Sequence, residues 1–255
     1  IIPHIVHAHS QAKRGEILLI DFLRKKIIDE KVFICVSDAV KEQFEKRGHK
    51  CTTVKNSIDF SRLNTCAHLD RSDYQNNPDD KLLLMLGYDF KIKGIDTVIR
   101  SLQKYDKDHN IVLLLCVANH IEKARKQITK LCGGIPEWIK LLPPRDDIAS
   151  YYNICDLFVS ASRNEGFNYS LVEAAYCLKP IAATDIPGQN ELEIPFTFIF
   201  EKNNEEQFFS VAKKSLNISD EQRLYNTNIA KEYVIEQFSL HKWTKRVAEI
   251  YSKYL

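Results

Sequence analysis

The sequence contains no apolar run approaching the ~18 residues that a membrane-crossing helix needs. Its start, IIPHIVHAHS, has neither the charged front nor the cleavage site of a secretory signal. Neither charge predominates: Lys+Arg number 36 against Asp+Glu 34, a net +2, which is too balanced to draw a nucleic-acid partner by bulk electrostatics. The seven cysteines include no Cys-x-x-Cys pair, and their odd, scattered count excludes a disulfide framework or a zinc site. A reducing, cytoplasmic setting is the expectation. The chain opens on Ile1 rather than methionine, already inside an apolar strand pattern, and is expected to be part of a longer protein. The sequons at Asn168 and Asn217 are read as chance, because a glycan on Asn168 would block the turn described below.

At 255 residues and 44% hydrophobic, the chain has material for one large core or two modest ones, and two lobes are expected. The pattern predicts a strand over Ile1–Ala8, an amphipathic helix over Glu16–Asp29 and a buried strand over Val32–Val36. A helix from Ala39 to Arg47, capped by Ser37-Asp38 and ended by Gly48, and a strand over Cys51–Lys55 complete the first unit. Ser61 to Asp80 is polar with no sustained period and reads as a linker. From Lys81 strands and helices alternate to Gln237, and Phe238-Ser239 interrupts the pattern before a last helix, His241–Leu255.

The stretch that carries chemistry is SRNEGFNYSLVEAAYCLKPIAATDIPGQNE, Ser162 to Glu191. It follows the apolar run Leu157-Phe158-Val159 and reads as strand, tight turn, helix, strand. Such a turn aims the first N–H groups of its helix out of the carboxyl end of the sheet, where a phosphate can accept them. Glu165 in the turn and Glu173 in the second helical turn can face one ligand there, and paired carboxylates suit a hydroxyl-rich molecule. Two surface acids on an ordinary turn is the bland alternative.

The pattern E-G-F-x5-E-A, then K-P and A-T-D-x-x-G-x-x-E, resembles the donor-site motif of retaining GT-B glycosyltransferases of family 4, the glycosyl transferases group 1. The resemblance implies an α/β fold of GT-B type. Residues 1–60 would be the C-terminal part of an incomplete acceptor-side Rossmann-like lobe, 61–80 the linker, 81–237 a complete nucleotide-sugar lobe and 238–255 a crossover helix. It assigns Glu165 to the transferred sugar and Glu173 to the ribose diol, with Gly166, Phe167, Asn168 and Tyr169 beside the donor. Gly87-Tyr88-Asp89-Phe90-Lys91-Ile92-Lys93-Gly94 resembles the family's G-R-x-x-x-x-K-G, which sets Gly87 and Tyr88 at the donor and makes Lys93 the pyrophosphate cation. A lysine at a helix start opposes the helix dipole unless an anion is near; a solvated lysine is the other reading. Tyr88 stands where the family has arginine, and Lys91 and Arg145 are the candidates to replace that charge. Asn56-Ser57-Ile58-Asp59 resembles the family's N-G-I-D with serine for glycine. Gly188 reads either as an approach point for the donor sugar or as a turn glycine.

His7 and His9 alternate on a strand and share a side. They are read as lining the acceptor side of the cleft, as ordinary core or surface histidines, or as a metal pair without a third ligand. The expected activity is transfer of a hexosyl group from a nucleoside diphosphate sugar to a glycan or lipid-linked acceptor, retaining configuration. Lys93 and Glu165 are the catalytic candidates, and the resemblance implies no metal and no cofactor. Polysaccharide or glycolipid assembly, with peripheral contact at the cytosolic membrane face, follows from the family alone. A nucleotide-sugar-binding module that no longer transfers is the alternative, and a sugar-nucleotide epimerase, disfavoured by the close E-x7-E and K-P spacing, is a third.

Overall fold

The computed structural model describes residues 3–9, 29–87, 89–108, 110–117 and 120–254. The helix expected over Glu16–Asp29 lies outside the described residues except for Asp29, which opens a strand, and so does Tyr88.

The first lobe is a parallel sheet of β1 (Pro3–Ala8), β2 (Asp29–Cys35) and β3 (Cys51–Thr53), in that order. Between β2 and β3 runs α1 (Asp38–Glu45), where the Ser37 hydroxyl accepts the Val40 N–H at 3.3 Å and so satisfies one of the orphan donors of the first turn. Gly48, at φ +81°, lets the chain leave that helix. The apolar stripe of α1 packs on the sheet through Phe44, whose ring stacks on Phe33 at 4.8 Å. Ser57 is not among the described non-glycine residues with positive φ, so it replaces the family's glycine without backbone strain.

The second lobe holds β4 (Lys81–Leu86), α2 (Ile95–Tyr105), β5 (Ile111–Cys116), α3 (Ile121–Cys132), β6 (Ile139–Leu142) and α4 (Ala149–Ile154). Then come β7 (Leu157–Ser160), α5 (Tyr169–Tyr176), β8 (Ile181–Thr184), α6 (Pro187–Asn190), β9 (Phe198–Phe200), α7 (Glu205–Leu216) and α8 (Asp220–Gln237). All six strands are parallel, in the order β6-β5-β4-β7-β8-β9. Helices cover both faces, which explains why the strands read as unbroken apolar runs rather than alternating ones. Leu83 and Met85 of β4 point into one core with Val98, Ile99, Ile128 and Phe208. Leu82 and Leu84 point into the other with Tyr152, Leu171, Val172 and Val234. Each such leucine is fully buried and contributes about 1.5–3 kcal/mol of transfer free energy.

Strand order reverses between β4 and β7, so the loops leaving their carboxyl ends diverge and open a crevice, the usual ligand position in a doubly wound sheet. Those loops are Gly87–Gly94 and Ala161–Asn168. Both carry motifs.

The polar stretch between the lobes is docked rather than loose. It contains two single 3₁₀ turns, Phe60–Leu63 and Arg71–Asp73, each begun by an aspartate, Asp59 or Asp70, that accepts the N–H two residues on. Arg71 pairs with Asp156 and donates to the Ile154 carbonyl at 2.7 Å. After α8, the backbone returns to the first lobe: the Ile58 N–H donates to the Phe238 carbonyl at 3.0 Å and Ile58 bridges Ser239. A last helix, α9 (Leu240–Tyr254), then carries Tyr251 to His7 of β1. The Tyr251 ring lies 6.2 Å from that of His7. No described helix is long and apolar enough to cross a membrane.

Candidate active site

Lys93 and Glu165, 72 residues apart in sequence, meet across the crevice with Nζ 2.6 Å from Oε1. Both are largely withdrawn from solvent, at 19% and 12% exposure, so each charge is held by the other and not by water. The Ser162 hydroxyl donates to the same Glu165 oxygen at 2.7 Å. Neither α2 nor α5 has a side chain capping its start: Gly94 precedes the one and Asn168, with its side chain turned away, the other. Two helix starts without a side-chain cap therefore adjoin one lysine–glutamate pair, an arrangement able to take an anion beside a hydroxyl-bearing group, although the Ile95 N–H of α2 already donates to the Phe90 carbonyl at 3.1 Å.

Three glycines permit this closeness. A Cβ on Gly87 would lie 2.7 Å from Lys93 Cγ, so the lysine stem rests where a side chain would be. Gly94 has φ +64°, and a Cβ there would lie 2.0 Å from the Ala161 carbonyl oxygen. A Cβ on Gly188 would lie 2.1 Å from the carbonyl oxygen of Glu165 itself. Gly188 thus makes room for the loop that carries Glu165. Gly188 lies in a turn of helix, α6, with Pro187 at its first position.

Arg163, which sequence reasoning passed over, ties the two loops together. Its guanidinium reaches both Asp96 oxygens at 2.8 and 3.1 Å, Thr97 Oγ1 at 3.0 Å and the Lys91 carbonyl, and its N–H donates to the Ile92 carbonyl at 2.7 Å. On the lysine side, Asp89 accepts the N–H groups of Ile92 and Lys91 at 2.8 and 3.0 Å, and these donors hold its carboxyl below the usual range. A lone arginine inside a motif was the only sequence signal.

Glu173 is buried, at 5% exposure, and its partners differ from those of Glu165. Tyr152 donates to one oxygen at 3.0 Å, its phenol kept protonated by complete burial, and Arg62 of the first 3₁₀ turn pairs with the other. No described hydrogen bond joins the two glutamates. Of the residues between them, Phe167 is buried with its ring 5.6 Å from Phe238, and Asn168 donates inward to Ser160 Oγ at 2.9 Å and Gln189 Oε1 at 3.2 Å. Those two shape the turn from below. Tyr169 is 43% exposed beside it.

Arg145 forms a two-point ion pair with Asp147, Nε–Oδ1 2.7 Å and Nη2–Oδ2 2.8 Å, and lies over the Tyr151 ring. Its charge is already matched. That guanidinium, with Ser150 and the Ala67 N–H, drives the Asp147 carboxyl far below its ordinary value. His7 and His9 do share a side, their rings 6.1 Å apart, and His7 Nε2 lies 3.2 Å from the Tyr251 hydroxyl. Burial and the neighbouring His9 lower the His7 pKa. Among the described residues no group of three His, Cys, Asp or Glu side chains is arranged to hold a metal.

Glu191 crosses between lobes. Its carboxylate accepts the N–H groups of Asp38 and Ala39, at 2.5 and 3.0 Å, and so caps α1 from the other domain. A cavity of about 580 Å³ opens near this junction between Lys55, Tyr233, Lys242 and Arg246. It includes none of Lys93, Glu165 or Glu173. That cavity is not where the charged pair and the two helix starts lie.

Known proteins share this fold and this sequence pattern. The uncharacterized glycosyltransferase MJ1178 of Methanocaldococcus jannaschii is 24% identical over 262 residues, covering 99% of this chain and 69% of the relative. The O-antigen biosynthesis glycosyltransferase WclY of Escherichia coli is 29% identical over 173 residues, 65% of this chain and 47% of that protein, so the match spans about half of it. Anabaena Alr3699/HepE, solved in complex with UDP and glucose, shares the fold with a TM-score of 0.79 at 19% identity, over 98% of this chain and 72% of that one. The sequence profile of the glycosyl transferases group 1 matches residues 68–232, which includes both motif loops, and the chain belongs to that family of GT-B glycosyltransferases.

Proposed function

We propose that the chain binds a nucleoside diphosphate sugar at the strand-order reversal of its six-stranded sheet and transfers the hexosyl group to a hydroxyl of a glycan or lipid-linked acceptor, retaining configuration as family 4 enzymes do. One observation carries this reading: the Lys93–Glu165 pair at 2.6 Å beside two helix starts without a side-chain cap. An entering pyrophosphate attracts Lys93 and accepts N–H groups of α2 and α5. Glu165, released from the lysine, is then free to accept hydroxyls of the sugar. Glu173 accepts the ribose diol.

In the transfer step the bond from the anomeric carbon to the diphosphate oxygen breaks, and the bond to the acceptor oxygen forms on the same face. The acceptor proton passes to the departing phosphate oxygen. Charge developing on the diphosphate is stabilised by Lys93 and the helix N-termini, which is why neither a metal nor a cofactor is required in this scheme. Similarity to an O-antigen biosynthesis glycosyltransferase supports an acceptor in polysaccharide or glycolipid assembly.

The second reading, a module that binds the donor without transferring it, draws support from Arg145, whose charge is matched by Asp147 and so does not replace the arginine missing at position 88. Incubation with UDP-, ADP- and GDP-sugars, followed by assay for free nucleotide and for the anomer formed, separates the readings. Nucleotide release with a retained anomer is expected. Binding without release selects the module, and an epimer without release refutes both.

A further inference from the structure

Glu173, the proposed ribose contact, is not open in this structure. One oxygen takes the Tyr152 hydroxyl at 3.0 Å, and the other is covered by the guanidinium of Arg62. Arg62 comes from the stretch between the lobes, 111 residues away in sequence. Its own end of the pair is half exposed, at 50%, while the carboxylate is 6% exposed. An arginine with access to water can leave; the carboxylate cannot follow it.

The turn that carries Arg62 is fastened to the same helix by two further contacts. Phe60 stacks on Tyr176 of α5 at 4.6 Å, and the Tyr176 hydroxyl donates to Asn64 Oδ1 at 2.6 Å. Two residues before Phe60, Ile58 is bonded to Phe238 and bridges Ser239, where the crossover to α9 begins. The segment that reports on Glu173 is therefore the segment that joins the lobes.

We propose that Arg62 is a latch on the nucleotide subsite: it occupies Glu173 when no donor is bound, and the vicinal diol of an incoming ribonucleotide takes its place. This rests on Glu173 being the ribose contact. A vicinal diol offers two O–H donors to a carboxylate that already holds a tyrosine proton, so diol and guanidinium compete for the same outward lone pairs. The binding-competent state is the one with Arg62 withdrawn, and apparent affinity is reduced by the fraction of molecules still latched. Withdrawal also frees the turn Phe60–Leu63 from its only charged attachment to α5 among the described residues, which couples ribose occupancy to the connection between lobes.

The test is calorimetry of UDP and 2′-deoxy-UDP, with ADP and 2′-deoxy-ADP in parallel, on the wild type and on Arg62→Ala and Arg62→Lys. The ratio of ribose to deoxyribose affinity should rise about three- to tenfold in Arg62→Ala, as expected when a competing partner is removed, with Arg62→Lys between. Misfolding or a purely structural role would move both nucleotides together and leave the ratio unchanged. A wild type that prefers the ribonucleotide while the ratio stays fixed or falls in Arg62→Ala overturns the latch alone. A wild type without such a preference, and Glu173→Ala no different from it, overturns the ribose assignment and the latch with it.

Discussion

Substituting Gly188 by alanine presses directly on the proposed catalytic carboxylate. The new Cβ would sit 2.1 Å from the Glu165 carbonyl oxygen, 2.6 Å from its carbonyl carbon and 3.0 Å from its Cβ. Backbone atoms supply the two shortest of these contacts, so no flexible side-chain tip can yield. To reach ordinary contact the loop or α6 has to shift by about 1 Å, and overpacking of this kind costs about 1–3 kcal/mol of stability. Glu165 is fixed by Lys93 at 2.6 Å and Ser162 at 2.7 Å, and a shift of that size takes it out of hydrogen-bond range of one or both. Its contact with the donor sugar, a charge-assisted hydrogen bond worth about 1.5–3 kcal/mol, should be lost, a weakening of roughly ten- to hundredfold for the nucleotide sugar. Binding of the nucleotide alone should change by less than about threefold, since Glu173 and its Tyr152 partner lie on other elements. Calorimetry of UDP-glucose and UDP on Gly188→Ala measures both. Gly134→Ala is the control, because a Cβ there meets nothing within 4 Å. Wild-type affinity for the nucleotide sugar in Gly188→Ala would refute the account of this glycine.

Lys93→Ala should lower diphosphate affinity by about 1–3 kcal/mol, and binding should not need magnesium; a strict metal requirement in titrations with and without chelator contradicts the metal-free scheme. Glu191→Ala removes the cap that reaches α1 from the other lobe, and hydrogen exchange at the Asp38 and Ala39 amides should accelerate about fivefold, as a loss of about 1 kcal/mol implies, while unchanged exchange argues against an interlobe cap. His7 has its folded pKa lowered by burial and by His9, so the folded state favours the neutral ring: the packing of β1 on α9 keeps its full stability above the unfolded histidine pKa and loses it as pH falls through the lower folded value. His7→Gln should abolish that acid-side loss in a pH series of thermal unfolding, and an identical series for the wild type and variant would refute it.

The strand–helix alternation from Lys81 onward was legible because buried parallel strands are short apolar runs and the helices between them carry their own period; the run Leu157-Phe158-Val159, for example, is the body of β7. That the motif turn leaves the carboxyl end of the sheet followed from the same alternation, whereas the strand-order reversal beside it is set by the order of the sheet, which the alternation does not reveal. What the pattern did not reveal is pairing over long separations. Arg62 with Glu173, Arg163 with Asp96 and Glu191 with the start of α1 are 111, 67 and 153 or 152 residues apart, and no local signal marks such partners. Two motif residues that read as ligand-facing, Phe167 and Asn168, turn into the protein, because a tight turn needs an apolar floor and an inward hydrogen bond as much as it needs an open rim. Gly188 showed only that some backbone comes close; which backbone depends on the fold.

The central claim is that Glu165 meets the transferred sugar and Glu173 the ribose. Titrating UDP and UDP-glucose into Glu165→Gln and Glu173→Ala tests it most directly. Glu173→Ala should weaken both ligands, since both carry the ribose, whereas Glu165→Gln should spare UDP and weaken UDP-glucose. Equal losses for all four pairs would contradict the assignment.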